Sequence, residues 1–195
     1  AHAGRKASRR PPWETGAADP GWQTLGPSEV AFEGFATPRA MSEDDIAATI
    51  AAFVAAARRS VQAGYRMIEL HGAHGYLMHS FLSPLSNRRN DRWGGDFEGR
   101  TRFACETARA VRAAIPEDMP LVMRISHSDW VEGGWTTEES VELARRLKAL
   151  GVDAIDVSSG GNSAAQKIPL GPGYQVPGAA AVRSGADVPV LAVGM

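Results

Sequence analysis

Ile68-Glu69-Leu70-His71-Gly72-Ala73-His74-Gly75-Tyr76 is the stretch on which the reading of this chain turns. Its first half, with Met67, is short and apolar enough for a buried strand. Its second half is small and polar, as expected where a strand runs out into a loop. Just upstream, Ser42-Glu43-Asp44-Asp45 resembles a capping box with Asp in the place of the usual Glu or Gln. Ile46, Ile50, Phe53, Val54, Ala57 and Val61 follow at helical spacing, and Gly64 is a natural stop. The segment therefore reads as helix, turn, strand, loop.

The same alternation continues downstream. Residues 75–96 read as a polar connection containing Ser83-Pro84 and Gly94-Gly95. Asp96 caps a helix over roughly 97–114, and Leu121 to Ile125 is the next strand. Thr136-Thr137-Glu138-Glu139 is a full capping box for a third helix, closed by Gly151. Asp153 to Val157 is a strand, a weak helix is expected over 178–184, and Val188 to Val193 is the last strand. Strands too apolar to be half exposed, alternating with helices, imply a parallel sheet with helices outside it. Periodicity does not choose between an open doubly wound sheet and a closed barrel. The lack of a Gly-x-Gly-x-x-Gly after any strand counts against a dinucleotide-binding Rossmann unit. Residues 6–40, rich in Pro, Gly and Trp, read as a long excursion without a period.

Composition narrows the partners. The 195 residues carry 21 basic and 22 acidic side chains, for a net charge of −1. That gives no electrostatic case for nucleic acid or an anionic membrane surface. Local arginine pairs such as Arg58-Arg59 and Arg88-Arg89 read as solvated surface charge. Cys105 is the single cysteine, which excludes an internal disulfide and a multi-cysteine metal site and fits a reducing compartment. No apolar run approaches the ~20 residues of a membrane-spanning helix. The opening Ala1-His2-Ala3-Gly4-Arg5 and a final strand up to Met195 lead to the expectation of a fragment of a longer protein.

The chemistry concentrates in the opening stretch. His71 and His74 can both donate N–H hydrogen bonds to one oxygen, and Tyr76 carries a weakly acidic hydroxyl able to deliver a proton. Gly72 and Ala73 keep the backbone close, so these two and the imidazoles are expected to line a substrate. In a parallel barrel the C-terminal ends of the strands form the catalytic face. A metal site from His71, His74 and His79 is the weaker alternative, with no acidic residue close in sequence to complete it. Arg124 sits inside an apolar strand, where a charge is costly unless paired. It can stabilise an anionic ring system or form an internal salt bridge.

Taken together, these residues resemble the Old Yellow Enzyme family, and within it the bacterial branch that includes xenobiotic reductases. The resemblance runs through His71-x-x-His74-Gly75-Tyr76-Leu77, Phe81-Leu82-Ser83-Pro84, Asn87-x-Arg89-x-Asp91, Gly94-Gly95, Arg124 and Pro172-Gly173-Tyr174. It implies an α/β fold, a (β/α)8 TIM barrel here incomplete, with about strands 3 to 7 present. Residues 1–195 would be the central part of a single FMN-binding domain, with N- and C-terminal barrel segments missing. The implied function is an FMN-dependent NADPH dehydrogenase acting as an ene-reductase on α,β-unsaturated carbonyl or nitro compounds, with NADPH or NADH as hydride donor. By position, His71 and His74 would hold the acceptor oxygen, Tyr76 would protonate the α-carbon, and Arg124 would contact FMN. Lys6 and His2 are further residues expected to line the site, while Ser158 to Gly161 would either approach the ribityl or phosphate region of FMN or form an ordinary tight turn. Trp93, Asp96 and Gly185 depart from the family's usual choices. A cytoplasmic, metal-free enzyme acting on small molecules follows from the same resemblance, with homo-oligomerisation of the full-length protein left open. Two alternatives stand beside it: a dienoyl-CoA or trimethylamine-type flavin and iron–sulfur reductase, whose cysteines would lie after residue 195, and a truncated inactive barrel fragment.

Overall fold

A computed structural model describes residues 2–10 and 21–194. Pro11-Pro12-Trp13 and Pro20, part of the expected excursion, lie outside the described residues. Gly4–Lys6 form a single 3-10 turn. Two short strands, β1 (Leu25–Gly26) and β2 (Arg39–Ala40), pair in parallel. Then come α1 (Glu43–Gln62), β3 (Ile68–Gly72), α2 (Leu77–Leu82), α3 (Phe97–Arg112), β4 (Leu121–Ser126), α4 (Thr137–Ala149), β5 (Ala154–Ser158), α5 (Val176–Ala186) and β6 (Val190–Ala192).

The main sheet has the order β3-β4-β5-β6, with every neighbouring pair parallel. Strands lying side by side in sequence order, each reached through a helix, are the repeating unit of a β/α barrel wall. The register aligns His71 with Arg124 and Arg124 with Asp156, so one row of side chains crosses three strands on one face. Alternation places Leu70, Met123, Ile125, Ile155 and Val157 on the opposite face. There they pack against Phe81, Phe103, Ala104, Val111, Leu143, Leu147 and Val182 from the helices. Phe81 and Phe103 stack with ring centroids 4.5 Å apart.

Both sequence-derived capping boxes form. The Ser42 hydroxyl accepts from the Asp45 amide while the Asp45 carboxylate accepts from the Ser42 amide, and Thr136 and Glu139 do the same for α4. Asp96 caps α3 through the Gly99 amide. Two expectations need correction. The connection 75–96 contains a helix, α2, whose six residues are all buried. A helix with no exposed side carries no amphipathic period to read. The weak helix expected over 178–184 is longer, from Val176 to Ala186, started by Pro177 in its first turn and ended by Asp187 in the left-handed conformation.

Candidate active site

His71, next to last in β3, lies on the face opposite the helices, and the chain then turns sharply. His74 has φ 59° and Gly75 φ 71°. A left-handed non-glycine residue costs about 1–3 kcal/mol, so His74 must be held in place by its surroundings. Its amide donates to the Ser126 hydroxyl at 2.9 Å, and its Nε2 lies 2.7 Å from the Ser158 hydroxyl. Ser126 in turn donates to the Gly160 carbonyl. The Lys6 ammonium donates to the carbonyls of His74 and Gly161, each at 2.9 Å. The ends of β3, β4 and β5 are thus tied around one imidazole. A Cβ on Gly75 would lie 2.2 Å from the Gly161 oxygen, so only glycine allows the two loops to meet this closely.

This turn brings the three expected rings together. The His71 ring lies 5.2 Å from that of His74 and 5.3 Å from that of Tyr76, centroid to centroid. Lys6 Nζ stands 5.3 Å from the Tyr76 ring centroid and 4.4 Å from that of Phe32. Burial, with Arg124 as a further cause, lowers the His71 pKa to about 4. Burial, then the neighbouring His71 and Arg124, lowers that of His74 to about 4. Both imidazoles are therefore neutral at pH 7, each with one N–H donor. Gly72 and Ala73 offer a ligand no surface. Both are buried, and a Cβ on Gly72 would point at the Met78 and Met123 sulfurs. Their contribution is close packing behind the imidazoles.

Arg124 lies beside His71 in the register, and its Nε is 3.4 Å from Asp156 Oδ2. Of the two expected roles for this arginine, the ion pair is present, but its Nε makes no hydrogen bond within the protein. His71 Nε2, Arg124 Nε and Asp156 Oδ1 are all buried without a hydrogen-bond partner in the protein. Such atoms are rare in folded proteins, and here they occupy one register row. A flat group carrying both acceptors and a donor fits this row, since Arg124 Nε donates, Asp156 Oδ1 accepts and Arg124 supplies positive charge. His79 is not part of it. Its ring is fully buried beside Asp129, so the three-histidine metal alternative is not assembled; among the described residues no cluster of His, Cys, Asp or Glu could hold a metal ion.

Residues 1–195 match, over their full length, the family described as NADH:flavin oxidoreductase / NADH oxidase. The chain belongs to this family. An NADPH dehydrogenase of Geobacillus sp. (strain WCH70) is 46% identical over the whole chain, which covers 54% of that protein. The chain spans about half the length of the curated relatives it matches. Among solved structures, a complex of 2-naphthoyl-CoA reductase with 2-naphthoyl-CoA is 29% identical with a TM-score of 0.83, covering 98% of this chain and 31% of the other. Morphinone reductase in complex with tetrahydroNAD superposes with a TM-score of 0.75 at 23% identity, covering 99% of this chain and 53% of the other, a likeness of fold. The parallel sheet of the family member described here is thus part of a (β/α)8 barrel, incomplete at four main strands.

Sequence reasoning singled out His71, His74, Tyr76 and Arg124 by residue type, and the structure gathers the three rings and sets Arg124 beside His71. That reasoning missed Ser126, and Ser158 entered only as part of a turn. A signal was available, because stepping by two from Arg124 and Asp156 reaches these serines on the same face. Among the described residues no helix is long and apolar enough to cross a membrane.

Proposed function

We propose that the chain is the central part of a single FMN-binding TIM-barrel domain, and that the whole protein is an NADPH dehydrogenase reducing the C=C bond of α,β-unsaturated carbonyl or nitro compounds. The observation that carries the reading is the convergence of two neutral imidazoles and a phenol, beside an unsatisfied arginine, at the C-terminal ends of parallel strands. Arg124 would hold the electron-rich edge of FMN. When bound, FMN supplies hydride taken from NADPH to the alkene β-carbon.

The chain's own residues do the rest. His71 and His74 each offer one N–H to the carbonyl or nitro oxygen, where negative charge builds as hydride arrives. A well-placed donor of this kind stabilises such charge by about 3 kcal/mol. Ser158 supports the pair: when its hydroxyl donates to His74 Nε2, the His74 proton stands on Nδ1. The Tyr76 hydroxyl then delivers a proton to the α-carbon, which completes the net addition of two hydrogens.

The test is anaerobic. The full-length protein should be yellow, bleach with NADPH, and regain colour on adding 2-cyclohexenone. Tyr76→Phe should slow the recolouring by about 100-fold or more while leaving bleaching unchanged. Equal loss of both steps would remove Tyr76 as the donor, and no recolouring by any enone or nitroalkene would remove the reading itself.

The likeness to 2-naphthoyl-CoA reductase favours a second reading, a reductase of CoA thioesters. The higher identity to the NADPH dehydrogenase ranks it second. Recolouring by an enoyl-CoA far faster than by 2-cyclohexenone would reverse that order.

A further inference from the structure

Behind the site lies a polar pair that the proposed reaction leaves unused. His79 and Asp129 are both fully buried. The Gly75 amide donates to His79 Nδ1 at 2.9 Å, so that nitrogen must be the unprotonated one, and the ring carries its proton on Nε2. Nε2 faces Asp129 Oδ1 at 3.0 Å, off the line of an ideal hydrogen bond. The other carboxylate oxygen, Oδ2, is engaged by the Ser83 hydroxyl at 2.5 Å, the Trp135 amide at 2.9 Å and the Asn162 side-chain amide at 3.4 Å.

We propose that His79 and Asp129 form a tautomer lock and are positioning residues: Asp129 fixes the proton on His79 Nε2, and His79 Nδ1 thereby holds the Gly75 amide in the left-handed turn from which His74 and Tyr76 project. The role rests on the reading of His74 and Tyr76 as acceptor-binding and proton-donating groups. The charge on Asp129 agrees with it. Burial opposes ionisation, but His79, Ser83 and the Trp135 amide outweigh that and keep the pKa down at about 2. Carboxylates that fix an imidazole's tautomer in this way are well attested at metal and protease sites.

Three donors converge on Oδ2, and this makes Asp129→Asn a sharp probe. The asparagine must keep its oxygen there, which turns its NH2 toward His79. Nε2 then has to accept, the proton moves to Nδ1, and the Gly75 amide meets another donor. In the full-length flavoprotein, long-range 1H–15N correlation should show the His79 proton on Nε2 in the wild type and on Nδ1 in the variant. Affinity for 4-hydroxybenzaldehyde, a phenol whose oxygen would take the two imidazole N–H groups, should fall about tenfold or more when read from flavin absorbance, while the rate of flavin bleaching by NADPH stays within about threefold.

Arg5 lies close enough to sense the Asp129 charge, so Asp129→Asn can also destabilise the fold. A second pair covers that case. His79→Asn keeps an oxygen near the Nδ1 position, and His79→Leu has none; the first should bind the phenol about tenfold more tightly than the second. A wild-type proton on Nδ1, a relocated proton with unchanged phenol affinity, or equal affinity in the two His79 variants would each overturn the lock. A wild type that neither binds the phenol nor reduces an enone would instead fail the functional reading on which the lock rests.

Discussion

His71 and His74 each present a neutral ring, and their low pKa has a consequence for stability. An unfolded chain takes up protons on these rings near pH 6.5, while the folded state refuses them until about pH 4. Their contribution to stability is therefore fully present above pH 6.5 and lost progressively as pH falls toward 4, because the unfolded state binds more protons across that window. His2 and His127, also lowered chiefly by burial, act in the same direction. The urea midpoint should drop between pH 6.5 and 4, and more shallowly when both His71 and His74 are Gln. Parallel slopes would show that the two rings are not shielded as the structure has them. The chemical identity of these side chains was readable because paired imidazoles next to a phenol are uncommon. Ser126 and Asp129 were not readable, and Ser158 only as part of a turn, because serines and aspartates are common and their role here comes from placement, not from type.

Elements were legible wherever their ends carried chemistry. Both capping boxes located their helices, and Gly64 and Gly151 adopt the positive φ that a helix stop requires. Helix α2 was missed because burial on all sides erased its pattern, and α5 read as weak because its alanines and Gly185 offer little packing area. The structure gives Gly185 a reason. A Cβ there would sit 2.5 Å from Val141 Cγ1, on the helix next to it. Valine in a helix is stiff at χ1 and cannot swing aside. Gly185→Ala should therefore destabilise the protein by about 1–3 kcal/mol, although alanine gains nearly 1 kcal/mol of helix propensity over glycine. Combining it with Val141→Ala should recover most of that loss. Thermal melts of the two single variants and the double variant measure the coupling, and strictly additive losses would mean that the two helices do not meet at this point.

At the scale of the molecule, alternating strands and helices announced a parallel sheet but not its closure, since open and closed sheets share the same period. What distinguishes the face opposite the helices is its chemistry. Glu69, His71, Arg124 and Asp156 line it where an open sheet would carry a helix-covered apolar layer. Partial burial and the nearby Asp156 raise the Glu69 pKa, as expected for two carboxylates on one face. Leu191 on the last strand is 47% exposed, and Glu69 on β3, at the other edge of the sheet, is exposed too. In the proposed whole barrel these side chains would be enclosed, and flavin would contact segments outside residues 1–195 as well as Arg124. The 195-residue chain expressed alone should then bind a hydrophobic dye strongly and lose added FMN on gel filtration, whereas the full-length protein should bind little dye and keep its yellow colour. Retention of FMN by the short chain would mean that the row His71, Arg124 and Asp156 suffices to hold the ring. The phosphate end would then need no partner beyond the strands described here.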